Sequence, residues 1–213
     1  MGRPADIECV LFDFDGVTAD TETLGIDLLI ESFKALGVDV SVEEIEALTG
    51  TAGDEPFQGV LDAHHSTRTV AELFPDGTGN RAVYREMDIE PLPGIVDLIR
   101  GLRVRGILVG LVSQTPTCDV MYALDRFRMT SLYDTIVCGD MIERFKPDPQ
   151  PYERAMGFLG VAPGRTVVFE DSPTGIASAR AAGTYVIGFR GGSIVQDTSA
   201  ADESIDSFEG FSL

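Results

Sequence analysis

The stretch Cys9-Val10-Leu11-Phe12-Asp13-Phe14-Asp15-Gly16 constrains this chain more than any other. Cys9 to Phe12 reads as a short strand buried on both faces, the kind found in parallel sheets. It runs directly into two carboxylates two residues apart, then a glycine. Carboxylates at the end of a buried strand cost free energy unless a cation or hydrogen-bond donors meet them. What the chain sets against Asp13 and Asp15 therefore decides its chemistry.

Further apolar, β-branched runs predict strands at Ile107–Val112, Thr135–Cys138, Thr166–Phe169 and Tyr185–Phe189. Helical spacing lies between them at Ile95–Val104, Cys118–Phe127, Pro151–Leu159 and Pro173–Ala182, the last closed by Gly183. Strands alternating with helices of this length predict an α/β chain with a doubly wound parallel sheet. Residues 20–90 interrupt the alternation. Glu22–Leu36 carries Leu24, Leu28, Leu29, Phe33 and Leu36 at helical spacing, and Ser41–Leu48 opens on a capping box, Ser41 with Glu44. Asp54–His65 and Asn80–Met87 are fainter helices, and Phe74–Gly79 is a loop by its turn residues. The organisation expected is a core of residues 1–19 and 91–213 with an inserted helical cap, 20–90. The tail beyond Gly191 holds at most one short strand near Ser204–Phe208.

Charge excludes some functions. Thirty-five acidic residues against sixteen basic ones give −19, and only Lys34 and Lys146 are lysines. Nucleic acids and anionic membranes demand a basic face, so neither is an expected partner. No apolar run is long enough to span a bilayer, and Met1–Asp6 lacks the pattern of a secretory leader. Cys9, Cys118 and Cys138 form no CxxC and read as reduced core residues, which points to a cytoplasmic protein.

In an open parallel sheet, ligands bind beyond the carboxyl ends of the strands. Those ends carry Asp13, Asp15 and Gly16; then Ser113, Gln114 and Thr115; then Gly139, Asp140 and the following Lys146; then Glu170, Asp171 and Ser172. Crowded carboxylates need a cation among them, and oxygen donors without His or Cys favour a hard ion, Mg²⁺. A metal, a lysine and a hydroxyl near helix N-termini cradle a phosphate. One carboxylate can attack it to form an aspartyl-phosphate while a second moves a proton.

The segments FDFDGVTADTE, LVSQT, KPDPQPYERA and VVFEDSPTGIASARAAG closely resemble, in order, the four motifs of the haloacid dehalogenase-like superfamily, and specifically its phosphatase and phosphoglucomutase-like branch. The resemblance implies a Rossmann-like hydrolase core with a helical cap. It implies that Asp13 is the nucleophile and Asp15 the general acid/base. Asp13, the backbone carbonyl of Asp15, and Asp171 would hold Mg²⁺, with Glu170 an outer or additional ligand. Ser113 and Lys146 would bind the phosphoryl group, Gly16 would allow a tight turn beside it, and Gln114 and Thr115 would touch substrate. Thr18–Asp20 and Glu90–Pro93 would be the hinges of cap closure.

Within the cap, sixteen acids meet four bases, Lys34, Arg68, Arg81 and Arg85. Phosphoglucomutase-like relatives carry a basic residue after the glycine matching Gly50. Here the stretch is Thr49-Gly50-Thr51-Ala52-Gly53-Asp54, so a mutase, the alternative, is disfavoured. Asp54 and Glu55 are expected to repel a second anion if they line the site. His64-His65 reads as cap surface. Lys34 as a Schiff-base lysine of phosphonate chemistry fits poorly, because Asp15 stands where those hydrolases carry a small apolar residue; the dehalogenases also lack that aspartate. A binding module that has lost turnover is disfavoured by the intact set of Asp13, Asp15, Ser113, Lys146 and Asp171. The expected protein is a Mg²⁺-dependent phosphatase of a small phosphorylated metabolite, a sugar phosphate by preference, and a monomer or weak homodimer.

Overall fold

The computed structural model describes residues 2–48, 53–75, 81–85 and 88–213. Six parallel strands form one sheet: β1 (Cys9–Phe12), β2 (Leu108–Val112), β3 (Thr135–Val137), β4 (Thr166–Glu170), β5 (Tyr185–Phe189) and β6 (Glu203–Ile205). Their order is β3-β2-β1-β4-β5-β6, so β1 lies between β2 and β4, where the winding reverses. This is the doubly wound α/β sheet expected.

Alternation along the strands builds two layers. Val10 and Phe12 of β1, with Val167 and Phe169 of β4, join a core completed by helices α6 (Ile95–Val104) and α7 (Thr117–Arg126). Cys9 and Leu11, with Val168, belong to a second core under α8 (Gln150–Leu159) and α9 (Pro173–Ala181). Burying both faces in this way requires apolar residues at every position, which is why β1 and β4 read as unbroken runs. The first layer is rich in rings: Phe12 stacks on Phe169 at 5.0 Å, and Phe208 of the tail stacks on Phe189 at 4.2 Å. The last strand accordingly stops at Ile205, and Phe208 serves as core rather than as strand.

The preceding helices are α1 (Glu22–Ala35), α2 (Val42–Glu46), α3 (Glu55–Ala63), α4 (Val70–Leu73) and α5 (Arg81–Arg85). Ile26, Phe33, Ile45, Leu61, Val70 and Leu73 make a third apolar cluster of their own. Ser41 and Glu44 form the expected capping box, and Thr69 with Glu72 forms another that opens the unexpected α4. α5 differs from its neighbours, since its Val83 joins the sheet's core. The chain leaves and re-enters the sheet layer through adjacent strands of backbone. Ala19 bridges Pro91, and the Leu92 N–H donates to the Thr18 carbonyl at 3.0 Å. Of the loop expected at Phe74–Gly79, Phe74 and Pro75 are described; residues 76–80 lie outside the described residues.

Candidate active site

Asp13 continues the β1 ladder by one residue, its N–H donating to the Phe169 carbonyl at 3.0 Å. The following turn is pinned by the Thr18 hydroxyl, which donates to the Asp13 carbonyl at 2.6 Å. Gly16 adopts φ +72°, and a Cβ there would overlap the Asp171 carboxylate. Its glycine is demanded by the left-handed backbone and by the approach of β4's tip.

On the other side of β1, β4 delivers Glu170 and Asp171. Ser172 caps α9, its hydroxyl accepting from the Gly175 N–H at 3.0 Å. Lys146, from the loop after β3, donates from Nζ to Asp13 Oδ1 at 2.7 Å and to Glu170 Oε1 at 2.6 Å. Tyr152 of α8 also donates to Glu170 Oε1, at 2.6 Å, and Ser172 Oγ donates to its Oε2 at 3.1 Å. Glu170 is thus held on both oxygens and fully buried.

At the tip of β2, Ser113 is fully buried and its Oγ accepts from the Thr115 N–H at 2.9 Å. Gln114 Oε1 accepts from the Lys146 N–H at 2.7 Å, fixing the backbone that carries the lysine. Thr115 turns its hydroxyl to Asp15 Oδ2 at 2.9 Å. Asp15 Oδ1 receives two more hydroxyls, Thr21 at 2.6 Å and Tyr84 at 2.7 Å.

One carboxylate oxygen from each of Asp13, Glu170 and Asp171 falls within 4.8 Å of the others, and all three residues are buried. Burial first, and then the charge of Glu170, pushes the Asp13 carboxyl up to about 8 against the pull of Lys146. Burial alone would lower the Lys146 ammonium, but Asp13 and Glu170 outweigh it and hold the ammonium above its ordinary value. An all-oxygen donor set whose nucleophile candidate resists ionisation fits a hard divalent cation, which would restore the carboxylate. The Asp15 carboxylate stands outside this cluster. Cys9 and Cys138 are buried, and burial pushes both thiols up to about 12, so they are inert core residues, whereas Cys118, expected with them in the core, is exposed on the first turn of α7.

A cavity of about 230 Å³ opens over these tips. Asp13, Asp15, Gln114, Thr115, Lys146 and Asp171 line its floor, while Ile26, Leu29, Ile45, Leu48, Phe57 and Val83 line its roof. Ser113 and Gly16, both expected at the site, are buried and do not line the cavity. Asp54 and Glu55 are exposed and do not line the cavity, contrary to the condition placed on them, because α3 turns Leu61 and Phe57 inward. Arg68 pairs with Glu72 at 2.8 Å and Arg85 with Asp119 at 3.0 Å, and neither lines the cavity. The Thr49–Ala52 stretch and the Arg81 side chain lie outside the described residues. His64 pairs with Glu44 at 2.7 Å and Lys34 with Glu31 at 3.7 Å, both as surface contacts of the helical block. Tyr84 and Gln196, which donates to Asp171 Oδ2 at 3.3 Å, join the site from outside every motif, while Thr21 and Tyr152 join it from within two motifs that assign them no role.

The family model for haloacid dehalogenase-like hydrolases matches residues 10–189, from β1 through β5 and thus through every strand tip above. The chain belongs to that family. Protein CbbY of Cereibacter sphaeroides is 35% identical, over 95% of this chain and 93% of its own length. A phosphorylated carbohydrates phosphatase of Thermotoga maritima is 27% identical, over 83% of this chain and 82% of its own. The crystal structure of a CbbY mutant from Rhodobacter sphaeroides in complex with xylulose-1,5-bisphosphate superposes with a TM-score of 0.79 at 31% identity, covering 95% of each chain. These likenesses put the chain in the family's phosphatase and phosphoglucomutase-like branch.

Proposed function

We propose that this phosphoric monoester hydrolase cleaves a small phosphate monoester in a Mg²⁺-dependent reaction, through an aspartyl-phosphate on Asp13. The observation that carries the reading is the Lys146 ammonium bonded to both Asp13 and Glu170, with Asp171 alongside, at the point where the sheet's winding reverses. Asp13 attacks the phosphorus and Asp15 gives a proton to the departing oxygen, so the alcohol leaves neutral. Asp15 then takes a proton from the water that attacks the acyl-phosphate, releasing phosphate and restoring Asp13. Lys146 offsets charge on Asp13 and on the phosphoryl oxygens. Ser113 braces the loop whose Gln114 and Thr115 line the cavity and meet the phosphoryl group. Asp13, Asp171 and the backbone carbonyl of Asp15 would hold Mg²⁺, whose charge would draw the phosphate in and keep Asp13 ionised. Glu170, engaged on both oxygens, we assign to holding Lys146. Residues 20–90 act as a cap over this floor, with Thr18–Asp20 and Glu90–Pro93 as its hinges and α5 resting on α7 in the arrangement seen here, and a closed cap shields the transferring phosphoryl group from bulk solvent while Asp15 directs the one attacking water.

A second reading, a sugar-phosphate mutase or a phosphatase that clamps both ends of a sugar bisphosphate, is favoured by the xylulose-1,5-bisphosphate bound to the CbbY mutant. Against it, Lys146 is the one cationic side chain among the described residues lining the cavity. The test is phosphate release from a panel of mono- and bisphosphates, with and without Mg²⁺. Wild type should turn over at least one monoester and Asp13→Asn should be slower by more than ~10³-fold. Near-normal turnover by that variant would remove Asp13 as nucleophile.

A further inference from the structure

We propose that Tyr84 is a positioning residue for proton transfer by Asp15, and that the hydroxyls of Tyr84, Thr21 and Thr115 hold this carboxyl so that a single oxygen position is left for the substrate's proton. The inference rests on Asp15 being the general acid/base.

The three hydroxyls come from three separate segments: the start of α1, the helix α5 and the tip of β2. Tyr84 donates to Oδ1 at 2.7 Å, Thr21 to Oδ1 at 2.6 Å and Thr115 to Oδ2 at 2.9 Å. An ionised carboxylate offers about four lone-pair sites. Two on Oδ1 and one on Oδ2 are engaged, so the remaining site, on Oδ2, is the one through which a proton can pass to and from the reacting oxygen. Tyr84 and Thr115 stand 3.1 Å apart with both hydroxyl protons given to Asp15, one to each oxygen.

Tyr84 can do this because α5 is fixed to the sheet layer. Arg85 Nε reaches Asp119 of α7 at 3.0 Å, Arg126 of α7 donates to the Tyr84 carbonyl at 3.3 Å, and Val83 is buried in the sheet's core. The Tyr84 ring also lies 6.0 Å from that of Phe14, the residue between the two aspartates. Although α5 sits within the inserted block, its anchorage is to the half of the molecule that carries Asp15.

A leaving-group comparison separates this role from a structural one. 4-Nitrophenyl phosphate loses a stable phenolate that needs no proton, whereas an alkyl phosphate loses an alkoxide that does. Proton transfer is worth ~10²–10⁴-fold in such steps, and removing one of three anchors should forfeit part of it. Tyr84→Phe keeps the ring and should lower kcat/KM at least ~10-fold on the best alkyl phosphate of the panel, and under ~3-fold on 4-nitrophenyl phosphate, with KM little changed. Thr115→Val should show the same pattern, and Thr115→Ser should restore it. Should Tyr84→Phe fail to fold, the Thr115 pair carries the test. An equal loss on both esters, or no loss on either, overturns the proposal. Release of phosphate from neither ester by the wild type would instead defeat the hydrolase reading on which it stands.

Discussion

Replacing Asp13 by asparagine should stabilise this protein when no divalent cation is present. Asp13, Glu170 and Asp171 are 7%, 0% and 4% exposed, and one ammonium, Lys146, is shared by two of them. The cost of that crowding is visible in the Asp13 carboxyl, raised from 3.8 to about 8 by burial and then by Glu170. A raised acid takes up a proton on folding. Its contribution to stability is full below the unfolded value, near 4, and is lost as pH rises to about 8. At ~1.4 kcal/mol per unit the ceiling is about 6 kcal/mol, and water entry and local relaxation reduce such penalties to several kcal/mol or less. We take roughly 2–3 kcal/mol for Asp13→Asn above pH 8, net of the lost bond to Lys146.

For a chain of this size, ~1 kcal/mol moves Tm by about 2–4 °C, so the variant should melt roughly 4–12 °C above the wild type. The assay is thermal denaturation in EDTA at a series of pH values from 5 to 9. The gap should widen with pH and level off past about 8. Saturating Mg²⁺ should close or reverse it, because the cation binds the folded wild type more tightly than the variant. A variant that is less stable at every pH, or a gap that ignores pH, would refute the account of the site as an excess of buried negative charge.

Asp171→Ala should raise the Mg²⁺ concentration needed for half-maximal activity and lower the maximal rate together, and full wild-type activity after exhaustive chelation would rule out the metal. Gly175→Ala should destabilise by about 1–3 kcal/mol and slow turnover, because a Cβ there would collide with the Glu170 carboxylate that anchors Lys146; chemical denaturation reads the first and phosphate release the second. A sugar monophosphate should be used at least ~10-fold better, by kcat/KM at low salt, than its bisphosphate, since a second phosphate would meet the apolar side chains of Ile26, Leu29, Ile45 and Phe57. Equal or better use of the bisphosphate would show that a cation reaches the roof.

The core was legible because each of its signals is local. An unbroken apolar run predicts β1, helical spacing predicts α6 within its observed ends, and Ser41–Glu44 predicts the start of α2. The strand-tip rule then assembled Asp13, Lys146, Glu170 and Asp171 from residues up to 158 positions apart. What was not legible lies across elements. Tyr84 meets Asp15 over a separation of 69 residues, and a tyrosine on a short amphipathic helix looks no different from one that fills a core. Tyr152 has the same ambiguity and proved to be both, a buried ring and a donor to Glu170. Gly16 was marked as a turn glycine, but its closest constraint is Asp171, which no local pattern reveals. The Thr69–Glu72 box of α4 stands in the sequence without a periodic signal beside it, because only the four residues after Thr69 are helical, too few to show a period. Asp54 and Glu55 were tied to the site by nearness to the Gly50 loop, whereas the facing of α3 is set by where Leu61 can bury.

The sheet order also explains why so acidic a chain keeps one of its two lysines here. Lys146 follows β3, two strands away from β1, so its loop must cross the tip of β2 to reach Asp13. Gly139 permits the crossing, since a Cβ there would strike the Gln114 backbone, and the Gln114 side chain then takes the Lys146 N–H. From that fixed point the long stem runs past the Tyr152 ring, with Nζ 5.3 Å from its centroid, to a place between β1 and β4. A compact ammonium with three donors suits two carboxylates approaching from different strands, where the planar fork of arginine would favour one. With Asp13, Glu170 and Asp171 ionised, this single positive charge leaves the buried set at a net charge of about −2. A phosphate dianion would meet that charge in the bare site and would meet none once a divalent cation has bound, so under the proposed function a cation would be a condition for substrate entry as well as for an ionised Asp13.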